Sequence, residues 1–178
     1  MKKLARLTAL LLTGALLLLL TACGGASGGG SHLNAREKAA KTKLLEAINA
    51  HRVNLSREPI KENKVFSEAE ELMLKPFRDT QQTAISEKLW WPANNEANPL
   101  RSEERKKLGC ERKNYNTPQI DSSKKAYLGD PLPKDDAALD QLIARCGMLD
   151  EDCEYIGLSV AEIKGEMYFS FCAFKKIS

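Results

Sequence analysis

The stretch YIGLSVAEIKGEMYFSFCAF, residues 155–174, decides the fold. Two runs rich in β-branched and aromatic residues, Tyr155 to Ile163 and Glu166 to Phe174, meet at Lys164-Gly165, the composition of a two-residue hairpin turn. In the first run Ile156, Leu158 and Val160 alternate with Gly157, Ser159 and Ala161. In the second, Met167, Phe169, Phe171 and Ala173 alternate with Tyr168, Ser170 and Cys172. A period of two with one large apolar set per strand predicts a β-hairpin with one face buried beneath helices.

Outward from the hairpin, the helices follow from spacing and caps. Asn34 can cap a helix through AREKAAKTKLLEAINAHR, in which Leu44, Leu45 and Ile48 form an apolar stripe. Ser67-Glu68-Ala69-Glu70 has the form of a capping box and predicts a second helix start, with Leu72, Met73 and Phe77 on one side. Pro76 is expected to kink or end that helix, which resumes from Thr80 to Leu89. Five prolines between Trp91 and Pro133 predict mostly loops, one short helix from Ser102 to Leu108 stopped by Gly109, and a short strand around Tyr115 or Tyr127. Asp135 or Asp136 can cap a further helix carrying Leu139, Leu142 and Ile143 and ending at Gly147. The elements add up to a mixed α/β domain of the α+β type with an antiparallel sheet near the C-terminus.

The N-terminus sets the compartment. Lys2, Lys3 and Arg6 precede an apolar run from Leu7 to Leu20, and residues 1–22 read as a secretory signal. As a helix the run measures about 21 Å, short of the roughly 30 Å hydrocarbon core. Leu20-Thr21-Ala22-Cys23-Gly24 resembles the bacterial lipobox, which implies cleavage before Cys23 and lipidation of that residue. Its acyl chains exceed the two-signal requirement for stable anchoring. Residues 23–33 then form a lipidated cysteine and a Gly/Ser tether, GGASGGGS, and residues 34–178 a single domain. Gly24 lacks the aspartate that retains many lipoproteins in an inner membrane, so an organism with an outer membrane is expected to place the protein there.

Lys2, Lys3 and Arg6 are three of the 27 basic residues, and none of the 24 acidic residues lies in residues 1–22. The chain from Cys23 onward therefore carries 24 of each sign. The formal charge of +3 describes the precursor and gives no argument for nucleic-acid binding. Cys110, Cys146, Cys153 and Cys172 remain after lipidation. Export favours two disulfides; of three connectivities, Cys146 with Cys153 and Cys110 with Cys172 is preferred, because the first pair would clip a helix end to the next segment. Structural zinc is the alternative, but no C-x-x-C spacing occurs and both histidines are distant in sequence, so no metal and no cofactor is expected.

Few residues offer chemistry. His51 and Arg52 close the first helix, where a protonated imidazole favours the macrodipole and Arg52 can bond last-turn carbonyls or a carboxylate. Asp150 to Glu154 is an acidic run without the spacing or glycine of an EF-hand loop. Trp90-Trp91-Pro92 places two adjacent indoles; one is expected to pack and the other to be exposed as a ligand contact, for a sugar or a lipid interface. Phosphate loops, G-x-S-x-G elbows and H-E-x-x-H motifs are absent from the sequence.

Ile48-Asn49-Ala50-His51-Arg52, followed by Glu58-Pro59-Ile60-Lys61 and Asn63, resembles the opening of the CAP superfamily, named for cysteine-rich secretory proteins, antigen 5 and pathogenesis-related proteins. Leu139 through Cys153, Tyr155 to Ala161 and Gly165 to Phe169 resemble that family's closing helix, its isoleucine-glycine strand and its last hairpin. The resemblance implies a three-layer α-β-α sandwich with a central antiparallel sheet. It also implies two histidines and two acidic residues in a cleft, and here the chain departs from it. The segment for the second histidine reads Ile143-Ala144-Arg145-Cys146-Gly147-Met148, and the nearest analogue of a Gly-Glu-Asn step is Leu128-Gly129-Asp130. The expectation is a lipid-anchored envelope protein that binds a lipid, glycan or protein ligand and has no catalytic residues. The alternative is an unrelated disulfide-stabilised lipoprotein, a hydrolase inhibitor or envelope assembly factor, for which a small all-β barrel is expected. An enzyme using two close carboxylates in a cleft is a third class, and requires one of them with a raised pKa.

Overall fold

A computed structural model describes residues 32–145 and 152–177. The signal segment, Cys23 and the tether to Ser31 lie outside the described residues, as do Cys146, Gly147, Asp150 and Glu151.

The hairpin forms as its sequence requires. β6 (Tyr155–Ile163) and β7 (Glu166–Lys176) pair antiparallel from Tyr155↔Phe174 to Ile163↔Glu166. Lys164 and Gly165 have φ of 51° and 83°, the two left-handed positions of a type I′ turn. β3 (Cys110–Asn116) adds antiparallel to the other edge of β7, with a bulge between Arg112 and Asn114. β1 (Lys61–Glu62) lies parallel to β6, so the sheet, in the order β1-β6-β7-β3, is mixed rather than wholly antiparallel. The chain returns from helix α1 (Ala35–Asn54) alongside β6, where Lys61 N donates to Glu154 O and Asn63 N to Ile156 O, each at 2.9 Å. A second small sheet has the order β2-β5-β4, from β2 (Ala84–Ser86), β4 (Gln119–Ile120) and β5 (Lys125–Tyr127).

Both faces of the hairpin are buried, not one. Ile156, Leu158, Val160, Phe169, Phe171 and Ala173 pack with Leu44, Leu45 and Ile48 of α1 and with Leu139, Leu142 and Ile143 of α4 (Asp136–Arg145). On the opposite face, Ala161 and Ile163 pack with Ala69, Met73 and Phe77 of α2 (Lys64–Thr80) and with Trp90 and Ala97 of α3 (Glu87–Leu108). Phe174 stacks on Phe66 of α2 at 3.8 Å between ring centroids. Gly157, Ser159 and Ala161 are small because α2 comes close: a Cβ at Gly157 would lie 2.5 Å from the Phe66 carbonyl carbon. With four helices and two sheets among the described residues the fold is α+β, and the all-β barrel of the alternative is not what forms.

Two helices differ from their expected limits. α1 begins as anticipated, with a reciprocal capping box between Asn34 and Glu37. α2, however, is capped by Asn63 rather than Ser67. Ser67 lies in its first turns, where its Oγ donates to Glu62 Oε1 at 2.6 Å and accepts from Leu158 N at 3.1 Å. α2 also runs through Pro76 to Gln81, which ends it at φ 53°; the Thr80 hydroxyl donates to the Pro76 carbonyl at 2.8 Å. α3 passes through Pro92 and Pro99 where loops were expected, and Gly109 ends it in the left-handed conformation. A proline inside a helix costs about 3 kcal/mol. The buried stripe Trp90, Asn94, Ala97, Arg101 and Glu104, at spacings of three and four, offsets it.

Candidate binding cleft

A cleft of about 200 Å³ opens at the turn end of the hairpin, between α1, the 132–134 strap and the start of α4. Ala40 and Leu44 line it from one turn of α1, because residues four apart share a helix face. Leu139 comes from α4, whose first turn is fixed by Asp135 Oδ1 accepting from Ala138 N at 2.8 Å. Leu132 and Met167 complete the apolar wall, joined by a 2.6 Å hydrogen bond from Leu132 N to Met167 O.

The rim is ionic and balanced. Arg36 pairs with Glu162, Lys43 with Asp136 at 2.8 Å, and Lys134 with Glu166 at 2.9 Å. Hydrogen bonding and charge from Lys43 hold the Asp136 carboxyl below its ordinary range, the direction opposite to that of a general acid. Such exposed pairs are worth about 0–1 kcal/mol each, so a ligand can displace them at little cost. No histidine, cysteine or hydroxyl side chain lines the cleft. Its volume lies below the roughly 300–1,000 Å³ of sites for drug-sized molecules. It fits the end of an acyl chain or one apolar side chain, not a whole sterol.

The residues singled out from sequence lie elsewhere. His51 bonds Asp140 Oδ1 through Nε2 at 2.9 Å, tying the end of α1 to α4. Arg52 is buried, donating from Nε to Glu58 O at 2.7 Å and from Nη2 to Cys153 O at 2.9 Å. Asn49 accepts from Ile60 N at 2.8 Å and donates to Ile60 O at 3.3 Å. The Asn49 and Arg52 pair thus closes the loop that leads into β1; its work is structural. Trp90 is 6% exposed, and its indole N–H has no acceptor among the described residues, so only Trp91, 44% exposed, offers a surface to a ligand.

Asp152 lies 3.4 Å from Lys113 and 3.7 Å from Lys175, and no cluster of three metal-ligating side chains occurs among the described residues. The expected Cys110–Cys172 bridge is absent; both thiols are free and buried. Cys110 sits opposite Lys176 on β7, four residues beyond Cys172, which separates the two by about 13 Å along the strand against the 7 Å limit between bridged Cα atoms. The proposed Cys146–Cys153 partner, Cys146, lies outside the described residues. Gly129 is exposed, and Leu128 N donates to Thr83 O at 3.0 Å, so the Leu128-Gly129-Asp130 step serves to hold the small sheet.

Two buried polar clusters were not anticipated. Glu70 of α2 is fully buried; its Oε1 accepts from Arg101 Nε at 2.9 Å and Nη2 at 2.7 Å, and its Oε2 from Ser170 Oγ at 2.5 Å. Beside it, burial pushes the Cys172 thiol well above its ordinary pKa, with Glu70 adding to the shift. Glu37 of α1 accepts from Arg78 Nε at 3.0 Å, Glu162 N at 2.9 Å and Asn34 N at 2.8 Å. Each carboxylate is saturated by donors from other elements, the arrangement of a fastener rather than a reactive centre. Ser170, a hydroxyl between Phe169 and Phe171, is the sequence signal that points to the first cluster.

No protein-family model, curated protein or solved structure matches the chain.

Proposed function

We propose that the chain is a lipid-anchored cell-envelope protein whose CAP-like domain binds a small apolar group, such as the end of an acyl chain, in the cleft beside α1. The observation that carries this reading is the cleft's composition: aliphatic walls, a rim whose charges are balanced by ion pairs, and no hydroxyl, thiol or imidazole side chain. The lipobox at Cys23 supports the anchor. Helices on both faces of the hairpin support the α-β-α sandwich of the CAP resemblance, and the Asn49 and Arg52 tie is consistent with its opening element. The family's second histidine has no counterpart, since the sequence holds only His32 and His51.

Met167 reports directly on the cleft, whereas Met73 lies in the opposite core. In the mature chain carrying Cys23→Ser and labelled with ¹³C at methionine methyls, octanoate is expected to shift the Met167 resonance saturably and leave Met73 in place. An Ala40→Phe substitution, which fills the cleft, is expected to abolish the shift. A Met167 methyl indifferent to octanoate would remove the support for this site.

A further inference from the structure

A second surface, where α3 meets the small sheet, is basic and aromatic. Lys88, Lys124 and Lys125 line one hollow of about 270 Å³, formed where α3 begins and β5 follows its turn. Glu87 N donates to Lys124 O at 3.0 Å, which fixes the two segments together, and Asp121 Oδ1 holds the turn by accepting from Ser123 N at 2.9 Å. Glu87 is the only acid lining the hollow, and none of the three lysines enters an ion pair among the described residues. Lys38, Lys64, Lys106, Lys164 and Lys176 also lack an ion pair among the described residues, but only here do three such lysines line one hollow. On the same segments Leu89, Trp91 and Tyr127 are 54%, 44% and 36% exposed. Unpaired lysines with an indole, a phenol and an aliphatic side chain are the composition that settles at an anionic membrane interface.

The chain's connectivity says which surface this end meets. Glu37 and Arg36, near the first described residue His32, bind Glu162 just before the hairpin turn. Ile85, Trp90 and Ala126, which flank the basic residues in sequence, belong to the same apolar cluster as Ala161 and Ile163 near that hairpin end. Eight residues, and so nine peptide steps, separate Cys23 from His32. They span at most about 30 Å, and about 17 Å on average for a Gly/Ser-rich chain. We propose that Lys88, Lys124 and Lys125, with Leu89, Trp91 and Tyr127, dock the domain on anionic lipid of the membrane that carries its anchor. The proposal rests on the anchored reading of Cys23. Tethering raises the effective concentration of lipid surface to the millimolar range, so a docking surface too weak to hold a free domain is still occupied.

The test uses the full lipidated chain in vesicles containing brominated acyl chains. With phosphatidylglycerol present, Trp91 fluorescence is expected to be quenched at least about twofold more than in pure phosphatidylcholine, because each lysine adds attraction to an anionic leaflet. Trp91→Phe is expected to remove the extra quenching, and Lys88→Gln/Lys124→Gln/Lys125→Gln to reduce it to the phosphatidylcholine level while leaving the circular dichroism spectrum unchanged. Salt of about 1 M, which shortens the screening length to about 3 Å, is expected to do the same. Equal quenching in both vesicle types, or in the triple variant, overturns the proposal. So does a Trp91 response to dissolved dextran sulfate without one to vesicles, which would assign the surface to a soluble polyanion. Flotation and intact mass report the anchor separately: a lipidated chain that floats without quenching of Trp91 overturns docking alone, whereas an unlipidated chain still quenched by anionic vesicles supports docking and overturns the anchor.

Discussion

Replacing Glu70 by alanine is expected to be among the most damaging single changes in the domain. Glu70 is fully buried and Arg101 is 7% exposed, so the substitution leaves a guanidinium in the interior. Arg101 Nη1 keeps one 3.3 Å bond to Asn98 Oδ1, while Nε, Nη2 and the Ser170 hydroxyl lose their acceptor. Breaking one partner of a buried pair costs about 3–5 kcal/mol, a large part of the roughly 5–15 kcal/mol that stabilises a domain. Removing both charges is a different perturbation. Glu70→Leu with Arg101→Met and Ser170→Ala leaves no uncompensated charge, and is expected to recover most of the loss. Urea unfolding followed by circular dichroism measures both. At about 2 kcal/mol per molar urea, Glu70→Ala is expected to move the midpoint down by about 1.5–2.5 M. A shift under about 0.5 M, or a triple variant no more stable than Glu70→Ala, would refute the assignment of this cluster as the fastener between α2, α3 and β7.

Gly157→Ala puts a methyl 2.5 Å from the Phe66 backbone, which moves only with α2. Overpacking of this kind costs about 1–3 kcal/mol, so thermal unfolding is expected to fall by several degrees. Gly129→Ala, whose Cβ meets nothing closer than 3.7 Å, is the control and is expected to leave the midpoint unchanged. Burial raises the Cys172 pKa in the folded state above the 9.0 of a free thiol, so its contribution to stability is complete below about pH 9 and is lost as pH rises through the folded value. The stability of the native chain relative to Cys172→Ser is therefore expected to decline as pH rises above about 9, and equal pH profiles would contradict this placement. Native Cys110 and Cys172, both buried with raised pKa values, are expected to resist iodoacetamide until the domain unfolds; fast native labelling would place them at the surface.

The elements that were legible in the sequence carry their own signals. Lys164-Gly165 between two alternating runs specifies the hairpin, Asn34 with Glu37 specifies the start of α1, and Gly109 specifies the end of α3. What was hidden is hidden for physical reasons. Pro76, Pro92 and Pro99 are strong local breakers, and the packing that overrides them comes from residues distant in sequence. The inward stripe of α3 contains Asn94, Arg101 and Glu104, so an apolar periodicity does not appear there. Gly157, Ser159 and Ala161 look like an exposed face because they are not large, yet they are small to admit α2. The cleft was illegible for another reason. Ala40, Leu132, Leu139 and Met167 carry no motif; only the fold brings them together. Cys110 and Cys172 show the converse, two residues that export chemistry would pair and that strand register keeps apart.

The anchor at Cys23 is the premise on which both the envelope function and the orientation of the domain depend, and incorporation of radiolabelled palmitate tests it most directly. In cells producing the native chain and a Cys23→Ala variant, label is expected in the native protein and none in the variant, with transfer of most of the variant from the membrane to the soluble fraction. An unlabelled native chain, or a variant whose membrane partitioning is unchanged, would contradict it.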